Sequence, residues 1–145
     1  MDAGEIFGQS TGFLLHRLGV GAERVIERTL SPFDLRAKEL RVLGFIRGEG
    51  CSQRELVDAT GLDRTTMVAV VDRLEALGLV ERRRDPSDRR KQSVMRTERG
   101  ARRLTEAAAA LAAAETEFLS PLSESQRRTL NAVLAELFVH RRPEC

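Results

Sequence analysis

The stretch SQRELVDATGLDRTTMVAVVDRLEALG, from Ser52 to Gly78, decides the fold. Gln53 to Thr60 has the length of a short helix, with Leu56, Val57 and Ala59 turned inward. Gly61 permits a tight turn, and Asp63 is placed to cap a second helix that runs to Leu77. Along that helix Met67, Val70, Val71, Leu74 and Leu77 keep helical spacing. Gly78 is a natural stop, because glycine takes the left-handed conformation past a helix end at little cost. Two short helices joined by a brief glycine-containing turn form a helix-turn-helix.

The residues that follow, LVERRRDPSDRRKQSVMR from Leu79 to Arg96, predict a hairpin. Leu79 to Arg84 is strand-length, Asp85-Pro86-Ser87-Asp88 supplies turn chemistry, and Gln92 to Arg96 returns as a second strand. A hairpin directly after a helix-turn-helix is a wing. Residues 51–98 are therefore read as a winged helix-turn-helix within a single domain spanning residues 1–145.

Helices flank this centre. Upstream, residues 4 to 29 carry Leu15, Leu18, Ala22, Val25 and Thr29 at 3-4-3-4 spacing, the period of a helix that packs along its length. Ser31-Pro32 breaks it, and a second helix is expected from Asp34, placed to cap it, through Leu40, Leu43 and Ile46 to a stop at Gly48 and Gly50. Downstream, Thr97 to Phe118 is a long alanine-rich helix with Leu104, Ala108, Leu111, Glu115 and Phe118 in a stripe. After Pro121, Ser123 and Gln126 form a capping-box pair for a last helix bearing Leu130, Val133, Leu134, Leu137 and Phe138. The fold class is mainly α with a small β-hairpin wing. The helical regions 4–30 and 101–141 are expected to hold two copies together as a homodimer, the usual habit of helix-turn-helix proteins.

Charge is informative only in its placement. The 145-residue chain has a formal net charge of +2. From Arg82 to Arg103, however, ten basic residues face three acidic ones, a local balance of +7 that leaves −5 for the rest. Such a stripe on a near-neutral chain implies a local anionic partner. The N-terminal end of the second short helix, Arg64-Thr65-Thr66-Met67-Val68-Ala69, offers donors for phosphates or base edges and small apolar surface for thymine methyls. At the hairpin tip, Asp88-Arg89-Arg90-Lys91 suits a narrow minor groove, where negative potential is strongest. An acidic neighbour such as Asp88 can orient a guanidinium by a paired hydrogen bond. These features point to double-stranded DNA. A nonspecific or architectural DNA binder without ligand control, and a winged helix used for protein contacts, stay open as alternatives.

The run Gln53-Arg54-Glu55-Leu56 … Gly61-Leu62-Asp63-Arg64-Thr65-Thr66-Met67-Val68 … Val71-Asp72-Arg73-Leu74-Glu75 … Gly78-Leu79-Val80-Glu81-Arg82 resembles the MarR family of multiple antibiotic resistance regulators. So does Arg84-Asp85-Pro86-Ser87-Asp88-Arg89-Arg90-Lys91 … Thr97-Glu98-Arg99-Gly100, the wing and the start of the next helix. The resemblance covers about residues 52–100. It implies a homodimer on a pseudo-palindromic operator, acting as a repressor released by a small, often aromatic ligand. By position it implies that Thr65, Thr66 and Val68 face the major groove, and that Arg90 enters the minor groove with Asp88 supporting it. The DNA-binding set taken forward is Gln53, Arg64, Thr65, Thr66, Val68, Arg73, Arg84, Asp88, Arg89, Arg90 and Lys91. The chain departs from the family at Ala69, where an arginine is frequent, and at Ser93 and Arg96, where leucines are.

The resemblance also places a ligand pocket between the first two helices and the winged region, with Phe13, His16, Arg17 and Phe45 as candidates. A chain without Trp or Tyr has to build such a pocket from Phe with Arg or His. The same residues also read as ordinary core and helix-face positions. No nucleophile–base pair, metal-ligand spacing or phosphate-cradling glycine loop occurs, so neither an enzyme nor a cofactor is expected. Cys51 and Cys145 read as free thiols. The longest apolar run, Ala107 to Ala114, is eight residues, against roughly 20 for a bilayer span, and no export signal opens the chain. A cytoplasmic protein with no membrane association is expected.

Overall fold

The structure is a computed structural model and describes residues 2–88 and 90–141. Seven helices and one hairpin follow in chain order: α1 (Ala3–Gly8), α2 (Thr11–Leu30), a 3-10 turn (Ser31–Phe33), α3 (Ala37–Phe45), α4 (Gln53–Thr60), α5 (Arg64–Ala76), β1 (Val80–Arg84), β2 (Gln92–Arg96), α6 (Glu98–Phe118) and α7 (Glu124–His140). The mainly helical fold class with a β-hairpin wing is thus what forms.

The helix-turn-helix builds itself from its own caps. Ser52 Oγ accepts from the Glu55 amide while the Glu55 carboxylate accepts from the Ser52 amide, closing a capping box on α4. Gly61 ends α4 at φ +75°, the left-handed conformation the turn requires. Asp63 then caps α5, accepting from the Thr66 amide at 2.7 Å. Gly78 stops α5 at φ +72°. Met67, Val70, Val71 and Leu74 turn inward from α5, and join Leu56 of α4, Val42 and Leu43 of α3, and Leu79, Val80 and Val94 of the wing in one buried core.

The hairpin pairs antiparallel in the register Val80–Arg96, Arg82–Val94 and Arg84–Gln92. A third backbone segment joins it: the Cys51 amide donates to Val94 O at 3.1 Å, and the Val94 amide to Cys51 O at 2.7 Å. One residue is too short for any alternation pattern, which is why the sequence does not announce it. Cys51 is buried there with a free thiol, and burial pushes that thiol above its ordinary pKa. Cys145 lies outside the described residues.

Three boundaries differ from the sequence reading. The first helix is two, because Ser10 caps a fresh helix by accepting from the Phe13 amide. Asp34 does not cap α3; it sits at φ +54° after the 3-10 turn, and α3 starts at Ala37, with the Glu39 carboxylate reaching back to the Arg36 amide at 2.9 Å. α3 stops at Phe45, before Gly48 and Gly50. On α6 the buried position is Ala107, between half-buried Leu104 and Leu111, while Ala108 is exposed. The true stripe steps 104, 107, 111, which lays α6 along α2. Thr97 links wing to α6: its Oγ1 donates to Gly78 O at 2.7 Å and accepts from the Gly100 amide at 3.0 Å.

Candidate nucleic-acid interface

Helix α5 divides its residues by face. Arg64, Thr65, Val68 and Ala69 are exposed at its N-terminal end, opposite the buried Met67, Val70 and Val71. Thr66 is half-buried, and its hydroxyl donates to Asp63 Oδ2 at 2.9 Å, so it offers only lone pairs outward. The two hydrogen bonds from Thr66, the backbone amide foremost, hold the Asp63 carboxyl below the usual carboxylate range. The helix start thus presents one guanidinium, one free-facing threonine and a small apolar patch, set on a capped and stiff N-terminus.

The wing tip is a shaped loop, as its acidic residues suggested. Asp85 Oδ1 accepts from the Ser87 hydroxyl at 2.7 Å and the Ser87 amide at 2.9 Å, which lowers the Asp85 pKa. The Asp85 amide donates to Lys91 O and the Lys91 amide to Asp88 O, closing the turn. Asp88 supports Arg90 differently from the guanidinium pairing expected: its Oδ1 accepts from the Arg90 backbone amide at 3.0 Å. The carboxylate therefore fixes the backbone and leaves the Arg90 side chain exposed. Arg84, Arg90 and Lys91 are all exposed, and no ion pair among the described residues uses them. Arg89 lies outside the described residues.

Several arginines of the +7 segment have partners within the chain, and Arg82, Arg96 and Arg103 among them are half-buried. Arg82 is bound by acceptors on α4 and α5. Arg96 donates to Leu43 O at 3.1 Å, and Arg103 to Phe33 O. Arg83 pairs with its strand neighbour Glu81. Arg96 thus answers the departure from a family leucine: its stem packs and its guanidinium ties the wing to α3. Gln53 and Arg73, both in the sequence-derived set, also have partners within the chain, although Arg73 stays exposed. Gln53 Oε1 accepts from Arg82 Nε at 3.1 Å. Arg73 bonds Asp34 at 2.8 Å and lies 3.5 Å from the nearly buried Glu39, joining α5 to the start of α3. Of the sequence-derived residues, Arg64, Thr65, Val68, Arg84, Arg90 and Lys91 are exposed on α5 and the wing.

Sequence reasoning missed Arg82, although a signal was present. Strand side chains alternate, so Arg82 shares a face with the buried Val80, and that face packs toward the helices.

The sequence profile of the MarR family matches residues 33–91, which span α3 to the wing tip. A transcriptional regulator of the MarR family from a Rhodococcus species is 31% identical, with a TM-score of 0.76 over 89% of this chain and 95% of that one. The chain belongs to the MarR family. CouR of Rhodococcus jostii, solved bound to p-coumaroyl-CoA, is 32% identical with a TM-score of 0.75, over 90% of this chain and 93% of that one. The repressor CouR bound to a 23-mer DNA duplex superposes with a TM-score of 0.82 at 28% identity, over 94% of this MarR-family chain and 97% of the other.

A second feature lies among α2, α3 and α6. Ile26 and Leu30 of α2, Ala37, Leu40, Arg41, Gly44 and Phe45 of α3, and Leu111 of α6 line a mainly apolar cleft of about 410 Å³. Phe45 lines it, although the cleft lies among α2, α3 and α6 and not against the winged region. Phe13, His16 and Arg17 do not line it; they are exposed on the first half of α2, where Phe13 packs against Phe7 at 6.0 Å between ring centroids. No helix among the described residues is long and apolar enough to cross a membrane.

Proposed function

We propose that this MarR-family regulator is a homodimeric repressor that binds a pseudo-palindromic double-stranded operator and is released by a small aromatic ligand. The observation that carries this reading is the exposed face of Arg64, Thr65 and Val68 on α5, next to a wing whose Arg84, Arg90 and Lys91 are spared from internal pairing. The helix end suits base edges and phosphates in the major groove. The wing tip suits the adjacent minor groove, with its backbone shaped by Asp85 and Asp88. The DNA-bound CouR supports the assignment by its similarity over nearly the whole chain. With Ala69 in place of a frequent arginine, backbone contacts and groove shape carry a larger share of the affinity.

The dimer follows from surface that one chain leaves uncovered. Phe138 is 56% exposed, and Val133, Leu134 and Leu137 on the same helix are also open. Ile6, Phe7, Leu14 and Leu18 add a second apolar strip at the other terminus. Patches of this extent mark an interface. For the ligand, the α2–α3–α6 cleft has a volume within the range of small-molecule sites, and Phe45 supplies an aromatic wall. The p-coumaroyl-CoA complex of CouR supports an aromatic acyl group as the class to try first.

The decisive experiment is competition binding at fixed salt. Duplexes from the region upstream of the protein's own gene should outcompete random duplex by at least about 10³-fold. Equal competition sinks the regulator and leaves the nonspecific DNA binder. No salt-dependent affinity at all favours a winged helix used for protein contacts. Aromatic acids and their thioesters should then lower operator affinity, and Phe45→Ala should blunt that response.

A further inference from the structure

We infer that Arg82 is a positioning residue for DNA recognition, a half-buried latch that sets the wing against the recognition helix without touching DNA. This rests on the DNA-binding reading above and adds to it the residue that holds the two reading elements in register. Arg82 stands on β1, yet its guanidinium reaches both helices of the helix-turn-helix. Nε donates to Gln53 Oε1 on α4 at 3.1 Å, Nη1 to Glu75 Oε1 on α5 at 2.9 Å, and Nη2 to Asp72 Oδ1 on α5 at 2.6 Å. Its backbone amide donates to the other Glu75 oxygen at 3.1 Å. The side chain is 19% exposed, whereas that of Arg83 beside it is 61% exposed. A planar guanidinium with donors along three edges can satisfy three acceptors in fixed directions, which a lysine ammonium cannot reproduce.

The acceptors make the arrangement informative. Asp72 follows Thr65 and Val68 at helical spacing along the exposed side of α5, and Glu75 lies one turn further. Two carboxylates there oppose phosphate by simple Coulomb repulsion. A protein selected only for positive potential gains nothing from them. Their use is geometric: together they hold Arg82, and through it the strand that carries Arg84 and the wing tip. The latch and the charge account therefore predict opposite signs for the same substitution.

The test uses full-length Asp72→Asn/Glu75→Gln, Arg82→Lys and Arg82→Met, each measured on operator and random duplex at several salt concentrations. Thermal melts verify that each is folded. The latch predicts that Asp72→Asn/Glu75→Gln lowers the operator-to-random affinity ratio by about tenfold, while random-duplex affinity stays equal or rises. Arg82→Met and Arg82→Lys should lower the ratio similarly and leave the slope of log affinity against log salt unchanged. A loss of fold stability alone moves the melting temperature but not this ratio in the folded protein. The inference is overturned if neutralising Asp72 and Glu75 raises operator and random affinity together. It is equally overturned if Arg82→Met weakens both duplexes alike and reduces the salt slope by about one, the mark of a phosphate contact. Should Arg82→Met not fold, the carboxylate pair and Arg82→Lys decide by the same criteria. A wild-type protein that fails to prefer operator sinks the DNA reading itself, whereas a wild type that prefers it and variants that match it sink only the latch.

Discussion

A methyl group on Gly100 would lie 1.9 Å from the carbonyl oxygen of Leu79 and 2.9 Å from its carbon. Both contacts are with backbone, so no side chain can swing aside. Gly100 thus lets the first turn of α6 rest directly on the entry to the wing. Gly100→Ala should force the two apart at a cost of about 1–3 kcal/mol. The expected readout is a melting temperature lower by roughly 5–10 °C in calorimetry. An unchanged melting temperature would mean that α6 does not sit this close. Arg90 is the opposite kind of residue, exposed and dispensable to the fold. Arg90→Ala should leave the melting temperature unmoved and weaken operator binding by about tenfold, more on A·T-rich flanks than on G·C-rich ones. Fluorescence anisotropy on the two flank types checks this, and equal affinity to wild type takes the wing tip out of the interface.

Short polar side chains fix junctions of the winged region by bonding backbone, Ser52 and Asp63 at helix starts and Thr97 on both of its sides. Thr97 is the clearest, serving α5's exit through Gly78 and α6's entry through Gly100. Thr97→Ala should cost about 1–2 kcal/mol, and Thr97→Ser should recover most of it, since the hydroxyl does the bonding. Three carboxylates also bond nearby backbone or hydroxyl groups. Glu55, Asp63 and Asp85 have depressed pKa values, caused first by the Ser52 amide, the Thr66 amide and the Ser87 hydroxyl respectively. A carboxyl whose pKa is lower folded than unfolded stabilises the fold at neutral pH, and that contribution is lost as pH falls through the folded values. Melting temperature should therefore hold from neutral pH to about pH 5 and decline below about pH 4. In Asp63→Asn, whose cap does not titrate, that decline should be shallower; an identical pH profile would show that the Asp63 charge is irrelevant to stability.

These caps also explain what was legible. The helix-turn-helix was readable because caps and glycines agree with the apolar period at its boundaries, although α4 buries Thr60 and leaves the expected Ala59 exposed. Asp34 misled because its side chain suits a cap, but its left-handed backbone and its bond to Arg73 commit it elsewhere. Ala108 misled because an alanine run has no internal contrast to set the phase. Arg73 and Gln53 were taken as DNA contacts on sequence position alone. Only the tertiary placement of Glu39 and Arg82 shows that both side chains also have partners within the fold.

At the scale of the whole molecule, the terminal helices have no core of their own. α7 contributes no buried residue among those described, yet it carries Val133, Leu134, Leu137, Phe138 and Val139 exposed along one 17-residue helix. A groove of about 470 Å³ along it is lined by Leu134, Leu137 and Phe138. The winged region, by contrast, has a core closed by α3 and the wing: Leu56, Met67, Val71 and Leu74 are buried there, and α7 does not pack on them. The proposed dimer should therefore be separable from the reading head. Leu137→Asp/Phe138→Asp puts two charges into the patch, where pairing two copies would bury them uncompensated. Sedimentation should show a monomer at concentrations where the wild type is dimeric, with most helical circular dichroism retained. Operator affinity should fall by more than about 10²-fold, because two half-sites joined in one dimer bind with an effective concentration that separate monomers lack. Affinity for random duplex should fall far less, since each reading head keeps its phosphate contacts. A variant that stays dimeric would move the interface away from α7, and a monomer with wild-type operator affinity would show that one winged region suffices.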